Sequence, residues 1–196
     1  ACFCRFNAAL VALGNFPFMH ILDANGNEAP ALENFLYNGG KLYLEGGFAF
    51  DPFPNPWFPM GYDVHQWFGL VDGNEGWGDV SGVIGQNFLS EYTFDYTGIN
   101  NYMNELNPFT STVIWKNSQN EDICGVFYDG YGSGITTPLG SLQSDSFTKK
   151  QLMKSYLELF DIVISGIPDT TIPSVEVIKH PDICIYPNPI HNEATI

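Results

Sequence analysis

The sequence reads NEAPALENFLYNGGKLYL over residues 27–44, and this stretch decides the predicted fold. Pro30 is tolerated in the first turn of a helix, and the glycines at positions 39 and 40 are typical of a helix end. The apolar residues of the predicted helix share one face, and they are Leu32, Phe35 and Leu36. The run KLYL follows directly and is typical of a strand.

A second apolar run, FNAALVAL, precedes this stretch at residues 6–13 and ends before Gly14. Such an unbroken run is typical of a strand that is buried on both faces of a parallel sheet. Strand, helix and strand in this order predict a βαβ unit with a right-handed crossover. We therefore expect an α/β fold in which helices flank a mostly parallel sheet.

The remaining pattern is less regular. Turn-forming and aromatic residues crowd residues 45–107 without a clear period, so we expect a long irregular insertion there. Strand patterns return further on, at residues 112–115, 123–128 and 134–139. Thr148 and Gln151 have the spacing of a capping box, which predicts a helix from residue 149 to about residue 164.

The composition of the chain argues against nucleic-acid binding and against a membrane-spanning helix. The chain of 196 residues has 22 acidic and 7 basic side chains, for a formal net charge of -15. Such a surface repels phosphate backbones, so nucleic acid is not an expected partner. No apolar run approaches the roughly 20 residues that a membrane helix needs, so no membrane span is expected.

The end of the chain carries a separate pattern. It reads IYPNP at residues 185–189 and NEATI at residues 192–196. This segment closely resembles the opening of the C-terminal sorting domain that directs Bacteroidetes proteins through the type IX secretion system. In that family a Y-P-N-P turn leads into a strand that ends in A-T-I. The matching residues here are Tyr186, Pro187, Asn188 and Pro189.

This resemblance implies a secreted or cell-surface bacterial protein, with the type IX secretion machinery as its partner. The alternative is a proline-bracketed turn before an edge strand of an ordinary β domain. The prolines at 168, 173 and 181 predict an extended linker over residues 166–182. Residues 183–196 would then begin a β-rich sorting domain.

Three features of the main domain carry a second resemblance. They are ALG at residues 12–14, FLYNGGKLYLEGG at residues 35–47, and the predicted C-terminal helix. They are similar to the class I glutamine amidotransferase-like, flavodoxin-like layer structure. The resemblance implies an amidotransferase-like α/β domain over residues 1–165. The chain starts without an export signal, so we expect it to be an N-terminally truncated fragment of a multidomain protein, with the other domains as partners.

An active amidotransferase needs a nucleophilic cysteine on a tight strand-to-helix turn, with a histidine and a carboxylate nearby. No cysteine or serine follows KLYL, and Cys124 lies within a strand pattern, where a buried thiol is inert. Ser133 lies in GYGSG, whose glycines have the wrong offsets for a nucleophile elbow, so a flexible turn is expected. The four scattered cysteines predict no zinc site, and their pairing stays open. We expect no catalytic residues.

Candidate ligand-binding residues lie at and after the predicted strand KLYL. Glu45 stands at its carboxyl end, where open parallel sheets bind ligands. With Asp51 and Asp63 it would form a carboxylate cluster for Ca²⁺ or for sugar hydroxyls. The alternative is that Glu45 only accepts backbone hydrogen bonds in the turn. No cofactor is expected apart from this Ca²⁺.

Tryptophans in the expected insertion are a further candidate site. Trp57, Trp67 and Trp77 would form an aromatic platform for a glycan or a partner protein, because exposed aromatic rings bind flat apolar faces. Alternatively, they form the private core of a long loop. A binding platform requires at least two of the three to be exposed on one face.

The preferred interpretation is a non-catalytic accessory or structural module of a secreted or cell-surface bacterial protein that is exported by type IX secretion. The first alternative is a glycan- or calcium-binding module. The second is a hydrolase that uses Glu45 or Asp51 with His65. That hydrolase requires His65 to lie within about 3.5 Å of a carboxylate in a concave pocket.

Overall fold

The computed structural model describes residues 7–14, 20–47, 49–50, 60–74, 80–98, 103–135, 142–144, 146–162 and 183–185. The strands are β1 (Ala8–Ala12), β2 (Lys41–Glu45), β3 (Leu70–Asn74), β4 (Gly82–Gly85), β5 (Thr93–Tyr96), β6 (Glu105–Pro108), β7 (Thr112–Asn117), β8 (Ile123–Tyr128), β9 (Gly132–Ile135), β10 (Leu142–Gln143) and β11 (Ile183–Ile185). The α-helices are α1 (Glu28–Tyr37) and α2 (Ser146–Leu159), and the 3₁₀-helices are η1 (His65–Phe68) and η2 (Asn87–Leu89).

Nine strands form one mixed sheet in the order β10-β5-β4-β7-β8-β9-β2-β1-β11. The pairings β9–β2, β2–β1 and β1–β11 are parallel. The five pairings from β10 to β9 are antiparallel. Strands β3 and β6 form a separate antiparallel ribbon.

The expected mostly parallel, flavodoxin- or amidotransferase-like α/β fold is therefore wrong. Most pairings are antiparallel, and the described residues contain two α-helices. The connections explain this difference. Only residues 118–122 join β7 to β8, and only residues 129–131 join β8 to β9. A parallel neighbour needs a crossover of about a dozen residues or more, so such short connections enforce antiparallel hairpins.

The predicted βαβ unit is nevertheless present, and its two strands form part of the parallel region of the sheet. Strand β1 pairs with β2 in parallel from Ala8 opposite Lys41 to Ala12 opposite Glu45, and α1 lies between them in the chain. The predicted apolar face of α1 is buried, and it consists of Ala29, Leu32, Phe35 and Leu36. Gly39 follows the helix with φ +84°, a conformation that L side chains rarely adopt.

The sheet has a hydrophobic core on each face, because successive side chains of a strand point to opposite sides. Leu42 and Leu44 of β2 join the core that includes the buried face of α1 and the last two side chains of η1. Tyr43 joins the other core, which includes Trp115 of β7 and Tyr156 of α2. Neither of the two α-helices in the described ranges is long and apolar enough to cross a membrane.

The described part of residues 45–107 is not the irregular insertion that the sequence predicts. It contains β3 to β6, and β4 and β5 belong to the nine-stranded sheet. Glycine hides these strands from pattern analysis, because it lacks a side chain that would mark a buried position. Gly82 and Gly85 begin and end β4, and Gly73 lies within β3.

Residues Ile183–Ile185 lie at the edge of the sheet, where they pair in parallel with β1 from Ala8 to Leu10. The sequence predicts that these residues start a separate β segment. The structure instead pairs them with β1 of the main sheet. The predicted linker and the motif from Tyr186 to Pro189 lie outside the described residues. The predicted domain boundaries stay a prediction.

Candidate functional site

Glu45 ends β2 and lies partly buried beside its own strand neighbour. The Tyr43 hydroxyl donates a hydrogen bond of 2.7 Å to Glu45 Oε2. Both side chains lie on the same face of the strand, because they are two residues apart. Burial raises the pKa of Tyr43 well above its ordinary value, and the Glu45 charge raises it further. The phenol therefore stays protonated at neutral pH and donates its hydrogen bond to the carboxylate.

Tyr43 also belongs to an aromatic group that joins α2 to the sheet. Its ring meets that of Tyr156 edge to face, with 5.0 Å between the centroids. The Trp115 indole Nε1 donates to the Tyr156 hydroxyl at 2.5 Å. The Glu45 carboxylate is therefore hydrogen-bonded to Tyr43, a residue that packs between the sheet and α2.

His65 begins η1 and is 7% exposed. Its Nε2 lies 2.7 Å from the backbone oxygen of Phe50, and its Nδ1 lies 3.0 Å from Asp63 Oδ1. The backbone N–H of His65 donates to the same Asp63 oxygen at 3.0 Å. His65 thus meets the distance expected of a catalytic pair, but the carboxylate is that of Asp63, and both ring nitrogens contact protein oxygens.

The predicted tryptophan platform is described at one of its three positions. Trp67 lies in η1 and is 2% exposed, so it is a core residue. Trp57, Trp77 and the carboxylate candidate Asp51 lie outside the described residues. The condition that two tryptophans are exposed on one face therefore stays open.

Two further sequence predictions concern possible nucleophiles. Cys124 lies in β8 and is buried in the core on the α2 side, as its strand pattern predicts. Ser133 lies in β9 and not in a flexible turn, so that prediction is wrong. The flanking glycines allow this, because Gly132 adopts φ +151° and pairs closely with the backbone of Leu42.

Carboxylates do not converge on a metal site in the part of the chain that the structure describes. Within those ranges, no group of three His, Cys, Asp or Glu side chains has the arrangement that would hold a metal ion. Glu105 lies close enough to two other carboxylates to feel their charges. Partial burial and the charges of Asp122 and Asp72 raise the pKa of Glu105.

A groove of about 220 Å³ lies between α1, η1 and the connection from β8 to β9. Its lining residues are Glu33, Leu36, Tyr37, Gln66, Trp67, Tyr128 and Tyr131. The backbone N–H of Leu42 donates to the Tyr131 oxygen at 2.9 Å, which places the groove beside the first residues of β2. Glu45 lies at the opposite end of that strand.

Paired aromatic rings form the walls of this groove. Tyr62 packs behind Trp67 with 5.4 Å between the ring centroids. Tyr128 and Tyr131 meet edge to face at 6.1 Å. The Lys41 ammonium group donates to the backbone oxygen of Asp129 at 2.9 Å, so β2 holds the connection that carries Tyr131.

Glu33 and Gln66 are the polar side chains that line the groove, and Tyr62 contacts Glu33 from outside the lining. The Tyr62 hydroxyl is hydrogen-bonded to Glu33, and partial burial followed by the Glu33 charge raises the pKa of Tyr62. The indole Nε1 of Trp67 is buried, and no described residue accepts a hydrogen bond from it. An orphaned buried donor costs about 1–3 kcal/mol, so it is an unusual feature of a folded protein.

Of the residues that line this groove, only Trp67 is among the binding residues predicted from the sequence. Its residues come from three segments that are far apart in the chain, and their meeting depends on β9 pairing with β2. The sequence YDGY at residues 128–131 was the available signal, because two tyrosines flank a tight turn there. Neither a protein-family model nor a curated protein sequence matches this chain.

Proposed function

We propose that this chain is a non-catalytic accessory or structural module of a secreted or cell-surface bacterial protein that is exported by type IX secretion. The observation that carries the non-catalytic part is the engagement of both His65 ring nitrogens with Asp63 and the Phe50 backbone. The export part is supported by the resemblance of residues 185–196 to the sorting domain.

The contacts of His65 suit a structural role. The Phe50 carbonyl oxygen and the Asp63 carboxylate each lie within hydrogen-bond distance of one ring nitrogen, so neither nitrogen is directed at an open site. A general base instead needs an unprotonated nitrogen that faces the substrate. His65 also lies outside the residues that line the groove. The hydrolase alternative gains no support from this geometry.

The glycan-binding alternative is favoured by one specific observation, which is the groove lined by the aromatic side chains of Tyr37, Trp67, Tyr128 and Tyr131. The calcium-binding alternative has no comparable support in the described ranges, since no three suitable side chains converge there. Glycan binding is therefore the second candidate function.

Secretion of the natural protein that contains this chain tests the export part. We expect a double substitution, Pro187→Ala with Pro189→Ala, to reduce the amount of protein that reaches the cell surface or the medium of a Bacteroidetes host. The matched control is Pro168→Ala with Pro173→Ala in the predicted linker, which should leave secretion unchanged. Undiminished secretion from a host without the type IX machinery would contradict the proposal.

A further inference from the structure

We propose that β11 is a detachable strand that covers the outer edge of β1, and that the uncovered edge pairs with β1 of a second copy of this chain. In the described chain, β11 is the last strand on this side of the sheet and lies next to β1. A sheet edge that is left open is a template for pairing with another chain. This role of β11 is independent of the export proposal and of the glycan-binding candidate.

The hydrogen bonds between β1 and β2 show which backbone groups of β1 face β11. The Lys41 N–H donates to the Asn7 oxygen at 2.9 Å, and the Leu13 N–H donates to the Glu45 oxygen at 2.7 Å. The odd-numbered residues of this stretch therefore face β2. Because the direction of the N–H and C=O groups alternates along a strand, those of the even-numbered residues face β11. The even-numbered residues of β1 are Ala8, Leu10 and Ala12.

The pairing with β11 is short. It joins three residue pairs, whereas the pairing of β1 with β2 joins five. Cys184 is the central residue of β11 and lies opposite Ala9. Its N–H therefore faces the Ala8 oxygen, and its own oxygen faces the Leu10 N–H. Short ladders at the margin of a fold open more readily than its core strands do, so β11 is the strand of this edge that detaches first.

The uncovered edge of β1 is complementary to itself. The strand reads AALVA and has no charged residue that would oppose pairing. A two-fold axis through Leu10 places Leu10 opposite Leu10 and Ala8 opposite Ala12. Each outward-facing N–H then meets a C=O in an antiparallel ladder. The formal charge of -15 repels a second copy, so we expect the pairing to strengthen when salt screens this charge.

The first test places a proline at the centre of β11 in the full chain. Cys184→Pro removes the N–H that faces Ala8. We expect the Leu10 amide to exchange its hydrogen about tenfold faster than in the unchanged chain. Light scattering should show dimers of the variant, in a fraction that rises with NaCl concentration, and single copies of the unchanged chain. The matched control is Thr195→Pro, which lies after β11 in the sequence and should behave like the unchanged chain.

The second test fixes β11 in place. Neighbouring strands lie about 4.8 Å apart, within the range of about 4.4–6.8 Å that a disulfide spans between Cα atoms. Ala9→Cys should therefore form a disulfide with Cys184 on oxidation. We expect the oxidised variant to stay monomeric and to exchange the Leu10 amide more slowly than the reduced variant. Ala8→Cys is the matched control, because Ala8 and Ala9 lie in the cores on opposite faces of the sheet. Peptide mapping identifies the bridge.

Three results would overturn the inference. They are an unchanged exchange rate of the Leu10 amide in Cys184→Pro, faster exchange without dimers at every salt concentration, and dimers of the oxidised Ala9→Cys variant. If Cys184→Pro unfolds completely, the amides of the central strand β8 also exchange fast. The oxidised and reduced forms of Ala9→Cys then decide, and equal exchange of Leu10 in the two forms overturns the inference.

Discussion

At His65 a single side chain joins two segments that are distant in the sequence. The ring contacts the backbone of Phe50 on one side and the Asp63 carboxylate on the other. The Asp63 carboxylate is exposed, whereas Phe50 is fully buried in the core on the α1 side. The hydrogen bond to Phe50 is therefore the contact that should contribute more to stability.

Replacing this side chain tests the structural role directly. We expect His65→Gln to lower the free energy of unfolding by about 1–3 kcal/mol, because the buried Phe50 carbonyl loses a well-placed donor. Urea denaturation measures the change. His20→Gln is the matched control, since His20 is exposed and the substitution should change stability by less than about 0.5 kcal/mol. Equal stability of the two variants would show that the contacts of His65 do not stabilise the fold.

Tyr43 gives the structure a dependence on alkaline pH. The pKa of its buried phenol is raised above the ordinary value of 10.0 in the folded state. The contribution to stability is therefore complete below the unfolded-state pKa and is lost as the pH rises through the raised folded-state pKa. We expect the free energy of unfolding to fall as the pH rises above about 10.

The variant Tyr43→Phe should flatten this decline, although Tyr62, whose pKa is also raised, retains part of it. It should also cost about 1–3 kcal/mol at neutral pH, since the hydrogen bond to Glu45 is lost. Chemical denaturation across the alkaline range measures both effects, with Tyr37→Phe as an exposed control. A decline that is equally steep in Tyr43→Phe would contradict the assignment to this residue.

At the scale of elements, the unit from β1 to β2 is the part of the fold that the sequence predicts well. Strand β1 is apolar throughout and β2 is apolar between its charged ends, and the helix has one apolar face with Leu32, Phe35 and Leu36. These patterns are local, so they do not depend on the rest of the chain. Strand β4 is the opposite case, because two of its four residues are glycines and its place beside β7 is fixed by distant partners.

The end of α1 provides a prediction at this scale. Gly39 has φ +84°, and a Cβ there would meet no atom within 4 Å. Gly39→Ala should therefore lower the free energy of unfolding by about 1 kcal/mol through backbone strain alone. Gly39→Asn should cost less, because asparagine tolerates the left-handed conformation better than alanine does. Thermal unfolding measures the difference, and an alanine variant at least as stable as the asparagine variant would contradict the conformation.

For the whole molecule, the sheet order creates the groove. Antiparallel hairpins carry β9 back to β2, and this pairing brings Tyr131 beside the first residues of β2, near the end of α1. The sequence predicts each segment as a strand or a helix but not which strands become neighbours, because strand order depends on long-range pairing. The site could not be found without that order, and analysis of the sequence favoured Glu45 at the other end of the strand.

The most direct test of the proposed function follows the indole N–H signal of Trp67, which lines the groove, in a nitrogen–proton NMR spectrum while neutral glycans of glucose, mannose, galactose or N-acetylglucosamine are added. The signal is assigned by its loss in Trp67→Phe. Trp115 is an internal control, because its indole already donates to Tyr156 in the other core. The expected result is a shift of the Trp67 signal, an unmoved Trp115 signal and an intact glycan. A Trp67 signal that stays in place throughout the titration would contradict the glycan-binding candidate, and a hydrolysed glycan would contradict the proposal of a non-catalytic module.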